Sequence, residues 1–478
     1  MNTVLTAVDW AALSPLLIVL IGALLVVLLE AFASDSAEWL SSWLTAGTII
    51  IAIYASYYAP VSTHPRLTSW LIFDTQSHIF SVLFLSIGLC TVFLSASFFQ
   101  RFAASQGEYY FLLLSAIFGL ILIGSSADFL TLFLGLETLS ISLYVSVGYM
   151  KKWNISHEAA VKYFLIGSIA AAILLYGIAL IYGALGTTRL SELLTGFRDL
   201  TNNSDRFLFL GGVALVTIGI AFKAAIVPFH VWAPDVYEGA PTPVTAFMSV
   251  GTKAGAFAAF ARVFLDALPG FDSVWSDVVA FLVYPTLIYS AFLAMRQVQL
   301  RRFFAYSGIS HAGFLLIPIA VGGPEALTSL IFYLIVYSAA TFGCFATLAY
   351  LDFRTEGVLL KDLHGLFKRA PFIASVFTLS LLTLAGIPPT AGFFAKFYVF
   401  KVAFAEGFYA LVIIALLTTI LSAYYYLRII AAMLTDVSSE ESVQKHSLPA
   451  TVVAVVAVCA IVFFSLFPAP LLTVLYAN

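Results

Sequence analysis

The chain is 478 residues long, 62% hydrophobic and only 10% charged, with a formal net charge of −3. Soluble domains carry about 25% charged residues, so this composition describes a polytopic membrane protein and excludes a soluble globular enzyme. A charge so near neutrality offers no basic footprint, and no nucleic-acid partner is expected.

Apolar segments of about 20 residues, each long enough to cross ~30 Å of hydrocarbon, fall near 14–33, 40–58, 76–99, 109–125, 128–149, 159–184, 207–228, 242–266, 274–295, 303–321, 326–351, 371–404, 407–433 and 449–475. The sequence therefore predicts an all-α polytopic fold of fourteen transmembrane spans. Basic residues concentrate in the loops after spans 3, 5, 9, 11 and 13: Arg101; Lys151 and Lys152; Arg296, Arg301 and Arg302; Arg354, Lys361, Lys368 and Arg369; and Lys445. The other side holds Arg66, Arg189, Arg198, Arg206 and Lys401. Positive-inside bias then puts the richer loops in the cytoplasm and both termini on the non-cytoplasmic side. The segment 352–370, with Leu359, Leu360, Leu363, Leu366 and Phe367 among its charges, reads as lying along the membrane surface.

Two spans are interrupted. Pro228 cuts span 7 after Ile226 and Val227, and Gly386, Ile387, Pro388 and Pro389 cut span 12, five spans later. Each break frees backbone groups that lipid cannot satisfy. Paired interruptions in corresponding positions point to a transporter site and to an internal repeat whose second copy is inverted. The organisation expected is a three-helix segment over 1–100, a first five-helix repeat over 108–266 (spans 4–8), a second over 274–433 (spans 9–13), and a C-terminal helix over 449–475. In that register Glu137 in span 5 and His311 in span 10 each fall about ten residues into their helices.

Ionisable residues at membrane depth carry the functional argument. Lys223 sits about a turn before the first break and Lys253 in the middle of span 8. A lysine at the bilayer centre costs roughly 2.5–3.5 kcal/mol, so two in adjacent spans call for a function. Glu137 lies in an apolar run, and the natural partner for its carboxylate is Lys223; a static ion pair holding two helices is the plain alternative. Lys253 has no acid in its own span and is flanked by small residues that leave room for water or a close helix. Lys396 follows the second break by about two turns, where a water-lined gap could hydrate it. His311 is the one histidine well inside a later span, either hydrogen-bonded core or relay. Lys162, near the start of span 6, reads as snorkelling to the interface, and His230, just past the first break, as satisfying freed carbonyls. Glu30, Arg262 and Arg428 read as anchors of helix ends.

Cofactor chemistry has no home here. Cys90, Cys344 and Cys459 lie far apart in apolar runs without the spacing of a zinc, iron–sulfur or haem site. No GxGxxG or Walker A motif occurs, and no polar stretch is long enough for a nucleotide-binding domain. Any redox or ATP chemistry that drives this chain is expected on another.

The run Val227, Pro228, Phe229, His230, Val231, Trp232, Ala233, Pro234, Asp235, Val236, Tyr237, Glu238, Gly239, Ala240, Pro241, Thr242, Pro243, with the spans of Lys253 and Glu137, resembles the antiporter-like subunits of respiratory complex I. Those subunits are in turn similar to multisubunit cation/proton antiporters. The resemblance runs from about span 4 to span 13, and Gly386 to Tyr398 resembles the branch that carries lysine, rather than glutamate, at the position of Lys396. It implies fourteen spans with two inverted five-helix repeats, each with a broken helix. It also implies that Glu137 and Lys223 form a modulating pair, Lys253 is the central proton carrier, His311 a bridging group and Lys396 the exit-side carrier, with His230 beside the break and Lys162 in a less defined role. It implies further that this chain holds no cofactor or metal, while NAD(H), FMN, iron–sulfur clusters and quinone belong to other subunits. The partners implied are the other membrane-arm subunits, the bilayer, and protons with internal water, in a bacterial cytoplasmic membrane. Translocation coupled to quinone reduction is the expected function; sodium/proton antiport and a non-pumping scaffold are the alternatives.

Overall fold

A computed structural model of the chain describes residues 5–32, 38–102, 104, 106–269, 272–352, 357–435 and 448–468. Its principal helices are α1 (Ala7–Phe32), α2 (Glu38–Tyr58), α3 (Thr75–Arg101), α4 (Gly107–Gly124), α5 (Phe129–Val147), α6 (Asn154–Leu185), α7 (Asn203–Ala224) and the short α8 (Trp232–Gly239). There follow α9 (Thr242–Asp266), α10 (Asp272–Ala294), α11 (Leu300–Val321), α12 (Ala326–Leu351), α13 (Pro371–Ala385), α14 (Ala391–Ala405), α15 (Tyr409–Leu434) and α16 (Leu448–Leu466). Among the described residues, thirteen of these are long and apolar enough to cross a membrane, and α13 with α14 makes the broken fourteenth span that the sequence predicts. Arg354, Lys445 and residues 469–475 of the last expected span lie outside the described residues.

The layering follows from where side chains can be small or polar. Helices α9 and α11 are buried along their whole apolar length and α12 nearly so, whereas α1, α6, α15 and α16 turn leucine, isoleucine and phenylalanine outward. Without a hydrophobic drive between helices in lipid, close crossings need glycine. A Cβ at Gly119 of α4 would meet the Gly135 carbonyl of α5 at 2.7 Å, and one at Gly177 of α6 would meet the Gly212 carbonyl of α7 at 2.8 Å.

Both breaks end their first half-helix in the same way. Ala225 (φ 58°) and Gly386 (φ 78°) adopt the left-handed conformation. The next amide then turns back, Ile226 N–H donating to Ala221 O at 2.9 Å and Ile387 N–H to Leu382 O at 3.2 Å. This is the six-to-one bond of a Schellman stop, which satisfies carbonyls that would otherwise be orphaned. Glycine takes that conformation freely; alanine at position 225 holds it at a cost of about 1–2 kcal/mol. The segment 357–369 forms two short helical turns, with Leu363 and Leu366 buried against the bundle and Lys361 and Lys368 outside it.

Candidate functional site

Lys223 lies one residue before the end of α7 and is 3% exposed. Its Nζ is 3.4 Å from Glu137 Oε1 and donates to the Ser140 hydroxyl one turn along α5. The partner expected from sequence is therefore the one found, although Glu137 is less enclosed than its apolar neighbours imply, with a fifth of its side chain exposed. The Tyr144 ring lies 5.9 Å from the same ammonium. From there aromatic groups continue inward through Tyr163 (4.7 Å between centroids), Trp232 (4.6 Å) and Tyr237 (6.2 Å).

At the far end of that series is Lys253, 1% exposed. Its Nζ donates to the Tyr237 hydroxyl at 3.1 Å, and it makes no ion pair among the described residues. The small residues around it do admit a close helix. A Cβ at Gly308 of α11 would fall 2.9 Å from Lys253 Nζ and 3.2 Å from the Tyr337 hydroxyl, so the ammonium rests against bare backbone. Residues Met248–Thr252 immediately before Lys253 and Ala261–Asp266 beyond it are wound as π-helix. Such widened turns inside α-helices gather at functional positions, and nothing in the side-chain pattern announces them.

His311, one turn beyond Gly308, is held at both nitrogens. Nδ1 is 2.8 Å from the Tyr333 hydroxyl and Nε2 is 3.1 Å from the Tyr426 hydroxyl. In a neutral imidazole one nitrogen donates and the other accepts, so the two hydroxyls are oriented in series through the ring. The Tyr337 ring lies 4.9 Å away. His311, Tyr333, Thr383 and Lys396 line a cavity of about 10 Å³, close to the size that holds one water.

Lys396, on the second turn of α14 and 3% exposed, reaches back across the break. Its Nζ donates to the Ala385 carbonyl at 2.9 Å and faces the Phe314 ring at 4.6 Å. The carbonyl end of α13 carries partial negative charge, so the interruption itself supplies the polar partner that no acid supplies.

His230 is buried beside the first break, near the Pro228 carbonyl and edge-on to the Tyr289 ring at 5.0 Å; its Nδ1 has no hydrogen-bond partner among the described residues. Other groups freed by that break are met elsewhere: Trp232 Nε1 donates to Phe222 O at 3.0 Å, and Val227 N–H to Thr286 Oγ1 at 3.1 Å.

Lys162 is half-exposed, in keeping with a head group that reaches outward, and it also takes acidic partners. Helix α6 begins at Asn154, two turns earlier, and Lys162 Nζ is tied to Glu158 at 2.8 Å and Asp235 at 3.1 Å. Arg302 completes the cluster, reaching Asp235 and Glu238 at 2.8 Å each. Burial alone would raise the Asp235 carboxyl, but the hydrogen bonds from Lys162 and Arg302 more than offset it and hold the group below the usual carboxylate range. A depressed pKa stabilises the fold above the unfolded value and loses that stabilisation as pH falls through the folded one. Asp235→Asn is thus expected to lower the melting temperature by a constant amount above about pH 4, with the deficit closing only below that. Melting curves of both proteins from pH 3 to 8 would check this; a deficit that vanishes near neutrality would contradict it.

Glu30, Arg262 and Arg428 all serve helix ends, as expected. A Cβ at Gly107, the first residue of α4, would meet the Glu30 carboxylate, and Arg428 donates to Met295 O just beyond α10. The tyrosines Tyr237, Tyr333, Tyr337 and Tyr426 are the site residues that the sequence reading did not single out. Tyr333 and Tyr337 do share one face of α12 at four-residue spacing, which is the one signal that could have found them.

A family described as "NADH:quinone oxidoreductase/Mrp antiporter, TM" matches residues 126–422. The NADH-quinone oxidoreductase subunit N of Protochlamydia amoebophila is 57% identical over 476 residues, covering 99% of each chain. Among solved structures, a chain of respiratory complex I from Thermus thermophilus with bound aureothin aligns with a TM-score of 0.81 at 31% identity, covering 96% of this chain and 98% of its own. A chain of the Mrp complex from Dietzia sp. DQ12-45-1b shares the fold, with a TM-score of 0.79 at 23% identity over 97% of this chain and 96% of its own.

Proposed function

Because the chain belongs to the NADH:quinone oxidoreductase/Mrp antiporter transmembrane family, we propose that it is a proton-translocating membrane-arm subunit of a complex I-type oxidoreductase. The observation that carries this reading is the buried line of groups from Glu137 and Lys223 through Tyr237 and Lys253 to His311 and Lys396. Consecutive members are joined by hydroxyls, ring faces or a water-sized cavity, and each hydroxyl can accept one proton while passing on its own. The two five-helix units flanking the breaks are read as inverted repeats, with the basic loops in the cytoplasm of a bacterial inner membrane. NAD(H), FMN, iron–sulfur clusters and quinone are assigned to other subunits.

Moving each charge against the membrane potential costs ~2.3 kcal/mol per 100 mV, so the driver must alter lysine affinity by several kcal/mol per cycle. The Glu137–Lys223 pair is the place to do so. Opening it leaves an uncompensated ammonium in a low-dielectric site, which favours passing the proton inward toward Tyr237 and Lys253. Proteoliposomes holding the assembled complex test this. Glu137→Gln is expected to lower protons moved per quinone reduced by about fivefold, equivalent to ~1 kcal/mol, with Glu137→Asp retaining most of it. Unchanged stoichiometry in Glu137→Gln would remove the pair from the path. Proton flux that requires sodium and no redox turnover would instead favour a cation/proton antiporter.

A further inference from the structure

We propose that the cleft between α2, α3, α12 and α16 binds one acyl chain of a diacyl phospholipid whose headgroup ends in a primary ammonium, with the ester and phosphate oxygens at Ser56, Thr75 and His78. None of the residues of the proton path lines this cleft, and the inference stands apart from that reading.

The cleft encloses about 620 Å³. Along α3 its wall runs from Thr75 to Cys90, about 22 Å of helix, which is half of the ~40–45 Å of a bilayer with its interfaces. Phe342 of α12 and Val453 of α16 bound the deep end, so the cleft stops at mid-membrane. Volume over length gives a mean cross-section of about 28 Å², whereas a helix ~10 Å across needs roughly 80 Å². A partner's transmembrane helix therefore does not fit, and a hydrocarbon chain does. The walls below the mouth are apolar because their hydroxyls turn back onto their own helices, Ser86 donating to Val82 O at 2.7 Å and Ser338 to Leu334 O at 2.6 Å.

The shallow end is polar. Tyr57, Tyr58 and Trp70, exposed at the end of α2 and in the α2–α3 connection, mark it as the interfacial level. Ser56 is 1% exposed, yet its hydroxyl completes no hydrogen bond among the described residues, and the half-buried His78 leaves Nε2 equally without a partner. A serine inside a helix ordinarily donates one turn back, as Ser86 and Ser338 do; Ser56 does not. A hydroxyl and an imidazole N–H at the head of an apolar cleft are donors for lipid ester and phosphate oxygens, which accept and cannot donate. Asp74 caps α3 one turn before His78. Arg262 pairs with both Asp74 and Asp266, so this cluster has one carboxylate more than it has guanidinium groups, and each acid keeps about a third of its side chain exposed. That excess disfavours an anionic headgroup and draws a terminal ammonium to the mouth.

Native mass spectrometry of the full chain in mild detergent tests the site, with dioleoyl phosphatidylethanolamine and dioleoyl phosphatidylglycerol, identical in their chains, as probes. The wild-type chain is expected to retain one phosphatidylethanolamine through detergent exchange and to prefer it at least fivefold. Ala339→Phe and Ala460→Phe fill the cleft from different walls, and each is expected to cut retention at least fivefold, with circular dichroism confirming the fold. His78→Phe keeps a ring without the donor and should cut it at least threefold. Unchanged retention in both filling variants overturns the proposal, as does phosphatidylglycerol held equally well or better, or an isoprenoid quinone recovered from the wild-type chain in place of phospholipid. A cross-link from Ala460→Cys to a neighbouring subunit of the assembled complex, showing protein in the cleft, overturns it too. The wild-type preference decides the matter even where a filling variant fails to fold.

Discussion

Lys253→Ala is expected to depress redox-driven proton translocation by about a hundredfold, the scale on which a positioned proton carrier acts, without weakening the fold. Lys253 is 1% exposed, and its ammonium donates to the neutral Tyr237 hydroxyl at 3.1 Å, with the ring of the same tyrosine 5.5 Å away and no ion pair among the described residues. An ammonium so placed is a liability of a few kcal/mol to a helix in hydrocarbon. Removing it therefore trades lost packing of the aliphatic stem against relief from burying the charge. Lys253→Met, which keeps the stem's volume, should melt at or above the wild-type temperature while pumping no better than the alanine variant. A residue retained against stability is one retained for activity. If both variants pump normally, or if Lys253→Met unfolds the protein, the lysine is a structural element and the scaffold reading gains.

What the sequence could disclose tracks what hydrocarbon penalises. Lys223, Lys253 and Lys396 stand out because ammonium groups rarely occur at that depth, and Pro228 and Pro389 because lipid cannot satisfy a broken helix. Pairing Glu137 with Lys223 needed only that opposite charges stranded at membrane depth seek each other. Tyrosine carries no such penalty. In a membrane chain its default place is the interface, so Tyr237, Tyr337 and Tyr426 were invisible as relay members until folding brought α8, α12 and α15 around α11. The same holds for Asp235, which looked like one residue of a motif and proves to be the hub joining Lys162 of α6 to Arg302 of α11. The acidic partners of Lys162 were out of view because α6 starts in a polar stretch, Asn154 to His157, that hydropathy discards, and Asp235 lies on another helix. The π-helical turns around Lys253 answer to packing across the bundle, and no local pattern encodes them.

The second large effect concerns stability at the C-terminal end of α9. Arg262 is 2% exposed, and its guanidinium forks onto Asp74, with Nη1 to Oδ2 and Nη2 to Oδ1 both at 2.7 Å. It also reaches Asp266 at 3.1 Å and covers the last carbonyl of α4, Gly124 O, at 3.0 and 2.9 Å. Burial would raise the Asp74 carboxyl, and the hydrogen bonds from Arg262 reverse that, so Asp74 stays ionised and paired. Arg262→Leu strands two acidic side chains and a helix-end carbonyl at once. Breaking a buried pair from one side costs about 3–5 kcal/mol, reduced here because Asp74 is 38% exposed and water can take up part of its charge. Thermal melts in detergent should show Arg262→Leu several degrees below wild type. Arg262→Lys should fall between, since an ammonium cannot make the two parallel bonds. Adding Asp74→Leu to Arg262→Leu should recover part of the loss, because the stranded charge, more than the missing contact, carries the penalty. Arg262 lies nine residues beyond Lys253 on the same helix, about 13 Å along its axis, so the fork also fixes the register in which Lys253 meets Gly308. Wild-type melting in Arg262→Leu would show that register to be set by packing alone.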